Sequence, residues 1–225
     1  MQIQNNLINA AVKNKIENFI FLGSSCIYPR DAQQPLKEEY LLTSSLENTN
    51  QWYALAKITG VKLIEAARKV YGYNYVSLMP TNLYGPNDNF DLKNSHVLPA
   101  LLRKFHEAKI QNSEVIIWGS GTPKREFLYV DDLAEAIFYF ILNPAKESLY
   151  NIGSERELTI KELGELIKNI IDFKGDIKFD SSYPDGTPRK LLDTSKVSSL
   201  GWSPKISLEE GIKLVYKEFL NRFYA

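Results

Sequence analysis

The sequence predicts an α/β protein: a doubly wound, parallel, Rossmann-like sheet that lacks its first strands, joined to a smaller α+β lobe. Two observations carry this prediction. Short, unbroken apolar segments at 18–22 and 75–79 are typical of strands in a parallel sheet that is covered on both faces. A long helical pattern at 52–71 lies between them. Strand, helix and strand in that order indicate a parallel sheet with right-handed crossovers.

The other elements follow from the spacing of apolar residues and from the residues at their ends. The chain is expected to open in a helix, because Leu7, Ala10 and Ala11 recur at helical spacing. Asn50 or one of the two residues before it is a candidate cap for the helix 52–71, which Gly72 ends. Further helices are predicted at 95–108, at 131–142, from a cap at Thr159 to about Ile171, and at 208–223 after a cap at Ser207. Further strands are predicted at 114–118, 127–129, 149–152 and 177–179.

These elements predict a chain that passes twice between a sheet domain and a substrate-binding lobe. Residues 1–92 are expected to form the remaining half of the Rossmann-like domain, and residues 93–126 a segment of the substrate lobe. Residues 127–152 are expected to return to the sheet domain, and residues 153–225 to complete the C-terminal lobe.

Composition and charge exclude several classes of partner. The 225 residues carry 27 Lys plus Arg and 27 Asp plus Glu, so nothing favours nucleic acid or an anionic membrane. One cysteine permits no internal disulfide, which suits a reducing compartment. Residues 1–14 lack the apolar core of a signal peptide, and the longest apolar run, 136–142, is too short to span a bilayer. We therefore expect a soluble, cytoplasmic protein, with no metal site.

Three polar features would meet at the carboxyl ends of the two predicted strands, where open α/β sheets bind ligands. Ser24, Ser25 and Cys26 follow the first strand, and the turn-rich segment 80–86 follows the second. Between them, Tyr53 and Lys57 are four residues apart, which places them on one face of a helix. Each feature alone is more simply a turn or an exposed helix face. Together they form a specific arrangement.

This arrangement resembles the extended short-chain dehydrogenase/reductase family, and four longer runs narrow the resemblance to its GDP-L-fucose synthases. The runs are FLGSSCIYP (21–29), NSHVLPALL (94–102), WGSGTPKREF (118–127) and PDGTPRK (184–190). The resemblance implies NADP-dependent conversion of GDP-4-keto-6-deoxy-D-mannose to GDP-L-fucose, by epimerisation at C3 and C5 and reduction at C4.

Carbonyl reduction needs a proton donor at the oxygen. A phenol has an ordinary pKa of about 10, and a neighbouring ammonium lowers it. The resemblance assigns the proton to Tyr53, the ammonium to Lys57, and a second hydrogen bond to Ser24.

Epimerisation needs a base and an acid on opposite faces of the sugar, and the family's pair matches Cys26 and His96. Thiols and imidazoles both exchange protons close to neutral pH. A buried structural cysteine and a histidine bonded to backbone at a helix start are the alternatives. His106 is expected to be a surface helix residue.

The resemblance also assigns binding positions. Lys57, the segment Pro80, Thr81, Asn82 and Leu83, and His96 would line the nicotinamide end of NADP. Lys104, Trp118, Arg125 and Asp185 would bind the GDP-sugar. Arg125 could instead pair with Glu126 or Asp131, and Trp118 could be a core residue. The family usually has Arg at position 104, and Lys keeps the charge without the bidentate geometry.

The glycine-rich turn that holds a dinucleotide pyrophosphate does not occur in the sequence, in either of its usual spacings. The family match begins in the helix before the fourth strand, so the 18–22 strand is expected to have an exposed apolar edge. We therefore expect poor solubility, abnormal association, or a separate chain that supplies the N-terminal half.

Two other functions stay open at this stage. One is another nucleotide-sugar 4-epimerase or 4,6-dehydratase of the extended family, which needs no Cys/His pair. The other is a non-catalytic sugar-nucleotide-binding remnant. A homodimer is the family expectation in any of these cases.

Overall fold

Residues 1–224 of the computed structural model are described, and they form seven α-helices and nine β-strands. The helices are α1 (Gln2–Lys13), α2 (Gln51–Tyr71), α3 (Val97–Gln111), α4 (Val130–Leu142), α5 (Ile160–Ile171), α6 (Ser195–Ser198) and α7 (Leu208–Phe223). The strands are β1 (Asn18–Leu22), β2 (Asn74–Pro80), β3 (Asn82–Tyr84), β4 (Val115–Trp118), β5 (Lys124–Tyr129), β6 (Leu149–Ile152), β7 (Glu157–Thr159), β8 (Ile177–Asp180) and β9 (Arg189–Lys190).

The main sheet confirms the predicted parallel core. Its strand order is β1-β2-β6, with both pairings parallel, and β2 lies in the centre. Every residue of β2 after Asn74 is buried, as expected of a strand covered on both faces. Strand β1 is at the edge of this sheet among the described residues and pairs with β2 through Leu22, opposite Leu78. The carboxyl ends of β1 and β2 therefore lie side by side.

Helix α2 packs closely on this sheet because it has a glycine at the contact. A Cβ atom built on Gly60 would lie 2.3 Å from Cζ of Phe21 in β1, so no side chain fits there without displacing the ring. The helix ends as predicted at Gly72, whose φ of 72° is the left-handed conformation that glycine adopts readily. Gly60 thus sets the distance between α2 and β1, and Gly72 sets the point at which α2 ends. Helix α2 carries Tyr53 and Lys57.

The second part of the molecule combines small sheets with three long helices. Strand β5 pairs with β3, β7 and β9, and β4 pairs with β8. Helices α3, α5 and α7 contribute to one apolar cluster with these strands, centred on residues such as Leu102, Phe105 and Ile167. The predicted capping of α5 by Thr159 is confirmed, since its hydroxyl accepts from the Glu162 amide at 3.0 Å.

Several expectations need correction. Asn50 precedes α2, but its side chain makes no cap and donates instead to the Cys26 carbonyl at 3.3 Å. His106 is not a surface residue: it is 7% exposed, and its Nδ1 lies 2.8 Å from the Tyr216 hydroxyl. Its position on the inner side of α3, against Phe219, explains the burial.

Strand β5 begins at Lys124, three residues before the predicted start. Strands β3, β7 and β9 are absent from the prediction because each has only two or three residues.

Candidate active site

The amino group of Lys57 is fixed at the carboxyl end of β1. Its Nζ donates to the main-chain oxygen of Leu22 at 2.8 Å and lies 5.9 Å from the centre of the Tyr53 ring. Burial lowers the pKa of the Lys57 ammonium, because the charged form loses solvation beside α2 and β1. Tyr53 is 45% exposed and is therefore accessible to a ligand. The predicted Tyr–Lys pair thus lies at the ligand-binding end of the parallel sheet.

The turn after β1 carries Ser24 and Cys26. Ser24 is extended, and its hydroxyl oxygen accepts from the Cys26 amide at 3.2 Å at the start of a single 3₁₀ turn, Ser25–Ile27. The Ser24 oxygen keeps its own proton free to donate. The Cys26 side chain is half-buried, and the Cys26 carbonyl accepts from Asn50 just before α2. This turn therefore holds both side chains beside the start of the helix that carries Tyr53.

Cys26 also contacts a residue that sequence reasoning did not single out. The Nζ of Lys190 in β9 lies 3.7 Å from the Cys26 sulfur, although 164 positions separate the two residues. Lys190 pairs with Arg125 across the parallel strands β9 and β5. The turn after β1 is thereby linked to the paired strands β5 and β9.

His96 lies at the first turn of α3 and is exposed. Its side chain makes no capping hydrogen bond, so the alternative of a histidine bonded to the helix backbone is wrong. Its neighbours Ser95 and Val97 line the cavity described below. His96 is therefore exposed between two residues that line that cavity.

The segment after β2 is held by its own polar contacts. Pro80 and Thr81 are buried, and the Thr81 hydroxyl donates to the main-chain oxygen of Glu126 at 3.3 Å. The Asn82 amide donates to the same oxygen at 2.8 Å. Asn82 and Leu83 are half-buried. Because these side-chain donors are engaged internally, the segment can meet a ligand mainly through its shape and backbone.

Glu126, at the centre of this arrangement, is a residue that sequence reasoning treated only as a partner for Arg125. Its side chain is fully buried, and its carboxylate accepts from three backbone amides: Ser154 at 2.7 Å, Glu155 at 2.9 Å and Leu192 at 3.1 Å. Burial raises the pKa of this carboxyl even though the amide bonds oppose the effect.

A cavity of about 280 Å³ brings together all four residues that the sequence assigned to the GDP-sugar. Lys104 from α3, Trp118 from β4, Arg125 from β5 and Asp185 from the loop before β9 line it. A cavity with convergent polar groups and an aromatic wall is the usual form of a small-molecule site.

Two of these residues are held by the loops around them. The Arg125 guanidinium donates to the Thr187 carbonyl at 2.6 Å rather than to Glu126 or Asp131, so the ion-pair alternative is wrong. Desolvation by burial lowers its pKa. Asp185 accepts from the amide and hydroxyl of Ser120, at 2.9 and 2.6 Å, and these bonds hold the pKa of its carboxyl below the usual range.

Trp118 is an exposed aromatic wall and not a core residue, since half of it is accessible. Its ring stacks on Tyr183 with centres 4.5 Å apart and an interplanar angle of 10°. The Lys104 ammonium lies 4.5 Å from the Trp118 ring centre and donates to the Ile116 carbonyl. Burial lowers the pKa of Lys104. The cavity wall therefore holds a cation packed over an aromatic ring that is itself stacked on Tyr183.

Comparison with known proteins gives a consistent answer. A family model described as "NAD dependent epimerase/dehydratase family" matches residues 1–153. The chain belongs to this family. A curated relative from Arabidopsis thaliana, named GDP-L-fucose synthase 1, is 53% identical over 98% of this chain and 68% of its own length. GDP-L-fucose synthase of Escherichia coli K12 is 51% identical, over 98% of this chain and 72% of the relative.

A solved structure of a GDP-L-fucose synthetase from Naegleria fowleri, bound to NADP, has a TM-score of 0.90. It is 28% identical and covers 98% of this chain and 68% of its own. The predicted Rossmann-like fold and the predicted relationship to the GDP-L-fucose synthases are confirmed.

The described residues suit the nicotinamide end of the cofactor that this family uses. An ammonium (Lys57), a phenol (Tyr53) and a hydroxyl (Ser24) meet at the carboxyl ends of two parallel strands, which is where α/β folds of this kind bind dinucleotides. Within residues 1–224, none of the helices is long and apolar enough to cross a membrane.

The sequence does not predict the side-chain contacts of Lys190, Ser120 and Tyr183. Each lies in or next to a run that resembles the family, yet its partner is distant in the chain: Cys26 for Lys190, Asp185 for Ser120 and Trp118 for Tyr183. Neither periodicity nor local spacing identifies such pairs.

Proposed function

We propose that this chain carries the activity of a GDP-L-fucose synthase. It converts GDP-4-keto-6-deoxy-D-mannose to GDP-L-fucose by epimerisation at C3 and C5 followed by NADPH-dependent reduction at C4. One observation carries the proposal: a single cavity is lined by Lys104, Trp118, Arg125 and Asp185, the four residues assigned to the GDP-sugar. The names of the relatives at 51–54% identity support it.

In the proposed reduction, Tyr53 donates its phenolic proton to the C4 oxygen and Ser24 donates a second hydrogen bond to it. When bound, NADPH supplies the hydride for C4. The Lys57 ammonium, 5.9 Å from the Tyr53 ring centre, stabilises the phenolate that remains. The hydrogen bond from Lys57 to Leu22 keeps that charge at the end of β1.

In the proposed epimerisation, Cys26 and His96 exchange protons with the carbons next to C4. One group removes a proton, and the electron pair moves towards the C4 oxygen, where Tyr53 and Ser24 stabilise the enolate. The other group then delivers a proton to the opposite face. The imidazole at the start of α3 is exposed, and the thiol after β1 is half-buried in a different part of the fold.

In the proposed substrate complex, Arg125 and Lys104 bind the diphosphate, and Trp118 forms the aromatic wall beside Lys104. A guanidinium can bond two phosphate oxygens at once, whereas Lys104 contributes a point charge. Lys57, His96 and the segment 80–83 are proposed to hold the nicotinamide end of NADP. The assembly is proposed to be a homodimer.

Activity with the pure compounds tests the proposal. The chain is incubated with GDP-4-keto-6-deoxy-D-mannose and NADPH, and NADPH oxidation and GDP-L-fucose formation are followed together. We expect both NADPH oxidation and GDP-L-fucose formation from the parent chain. The Tyr53→Phe variant should lose both activities. Formation of a different sugar, or a chain that binds GDP-sugar without turnover, contradicts it.

A further inference from the structure

Several cationic side chains surround Cys26. Lys190 contacts the sulfur at 3.7 Å, and the half-buried Arg125 lies opposite Lys190 in the register of β5 and β9. Arg30, Arg189 and Glu47 line the small cavity on the same side of the cysteine. Of these, Glu47 is paired with Arg30 at 3.5 Å and Arg189 with Glu157 at 2.7 Å. Lys190 alone among them donates to the sulfur.

The backbone of Lys190 is fixed by strand pairing. It is the second residue of β9, which pairs in parallel with β5, and it lies opposite Arg125 in the register. Lys190 is half-buried, so little solvent separates its ammonium from the thiol. A cation held in this way favours the negatively charged form of a sulfur atom.

We infer that Lys190 is a positioning residue for Cys26: its ammonium orients the sulfur and stabilises the thiolate through which the thiol passes when it exchanges a proton. The inference rests on the proposed role of Cys26 in epimerisation. If Cys26 accepts the sugar proton, the C–H bond breaks, its electron pair enters the enolate, and an S–H bond forms at a thiolate that Lys190 has stabilised. If Cys26 donates, the S–H bond breaks and leaves the same thiolate. Lys190 keeps its own protons throughout.

The single cysteine of this chain makes the inference directly measurable. The rate of Cys26 alkylation by iodoacetamide, a neutral reagent, reports the thiolate fraction and needs neither substrate nor cofactor. The rate is measured from about pH 6 to pH 9 in the parent and in Lys190→Met, Lys190→Gln and Lys190→Arg. Arg189→Met is the matched control, because it removes the same charge one position earlier on the same strand, from a side chain bonded to Glu157.

We expect Lys190→Met and Lys190→Gln to alkylate roughly tenfold more slowly near neutral pH, with the profile displaced to higher pH. Lys190→Arg and Arg189→Met should stay within about twofold of the parent. Parent-like rates in both neutral variants overturn the inference, and so does an equal loss in Arg189→Met, which would indicate only a general field. Slow alkylation of Cys26 in Lys190→Arg also overturns the inference, because that variant keeps the charge and the loss would then come from changed packing.

The proposed function can fail separately from this inference. Uptake of solvent deuterium at C3 and C5 of the GDP-sugar measures epimerisation itself. Slow alkylation in the neutral variants of a chain that never exchanges deuterium would support the contact between Lys190 and the thiolate and reject the reaction. Deuterium uptake that is unaffected in Lys190→Met would show that the contact has no part in proton transfer.

Discussion

Lys57 donates from Nζ to the main-chain oxygen of Leu22 at 2.8 Å, which joins the second turn of α2 to the last residue of β1. The bond fixes an ammonium two residues before Ser24. One consequence is geometric, because the hydrogen bond holds the Lys57 ammonium at the end of β1. The other is electrostatic, because desolvation at this position lowers the pKa of the ammonium.

The lowered pKa of Lys57 predicts the alkaline limit of the reaction. In the proposed reaction the charged form is the active one, and it is lost as pH rises through a pKa that lies below the usual value for lysine. We expect kcat to fall with rising pH earlier than an ordinary lysine would allow. Lys57→Arg, which keeps its charge, should move this fall to higher pH, and a profile of kcat against pH measures both. An alkaline limb that does not move would show that another group titrates.

The Tyr53 hydroxyl is expected to be essential while the ring is not. Tyr53→Phe removes the proton donor and should lower kcat by about 10²- to 10⁴-fold, with little change in the melting temperature. Tyr71→Phe is the matched control, since Tyr71 is exposed at the other end of α2. Steady-state NADPH oxidation measures both variants. Activity in Tyr53→Phe close to that of the control would remove Tyr53 from the mechanism.

Arg125 is expected to govern affinity for the diphosphate. Arg125→Met should raise the Kd for GDP roughly 10- to 100-fold, because charge-assisted hydrogen bonds to the phosphates are lost. Arg125→Lys should recover part of this loss, since it restores the charge but not the fork. Calorimetric titration gives the Kd, with Lys124→Met as the control, whose side chain lies near Glu157 instead. Equal GDP affinity in the parent and Arg125→Met would place the diphosphate elsewhere.

Glu126 is expected to control stability rather than chemistry. Glu126→Gln should lower the free energy of unfolding by about 1–3 kcal/mol, because one of its three amide donors would then face an NH₂ group. Denaturant unfolding measures this change. Glu65→Gln, which alters a surface pair with Lys62, is the control and should cost less than about 1 kcal/mol.

The same carboxyl predicts a pH dependence of stability. Its pKa is raised in the folded chain, so between its ordinary value and the raised one the folded state binds more protons. The contribution of Glu126 to the free energy of unfolding therefore falls as pH rises through this window. The Gln variant has no such titration, so the stability difference between parent and variant should change across it. A difference that is constant with pH would contradict the burial argument.

Elements with strong local signals could be predicted from the sequence. Strand β1 and strand β6 have their predicted bounds, and the Thr159 and Ser207 caps are confirmed, since apolar periodicity and hydroxyl caps act over a few residues. The four-residue spacing of Tyr53 and Lys57 likewise predicts that both side chains lie on one face of a helix, and both residues are in α2.

Features that depend on contacts between residues far apart in the chain could not be predicted. The burial of His106 depends on α7, and the bond of Asn50 to Cys26 competes with a cap that the local sequence favours. The Lys190–Cys26 contact requires the pairing of β9 with β5, and a two-residue strand has no pattern of its own. The domain bounds and the roles of the site residues stay predictions.

Turnover in D₂O distinguishes epimerisation followed by reduction from reduction alone. The chain is mixed with GDP-4-keto-6-deoxy-D-mannose and NADPH, and the product is analysed by mass spectrometry and NMR. We expect NADPH oxidation together with GDP-L-fucose that carries deuterium at C3 and C5, and no GDP-L-fucose from Cys26→Ser. NADPH oxidation without deuterium would mean a C4 reductase alone, and would contradict the assignment of Cys26 and His96 to epimerisation.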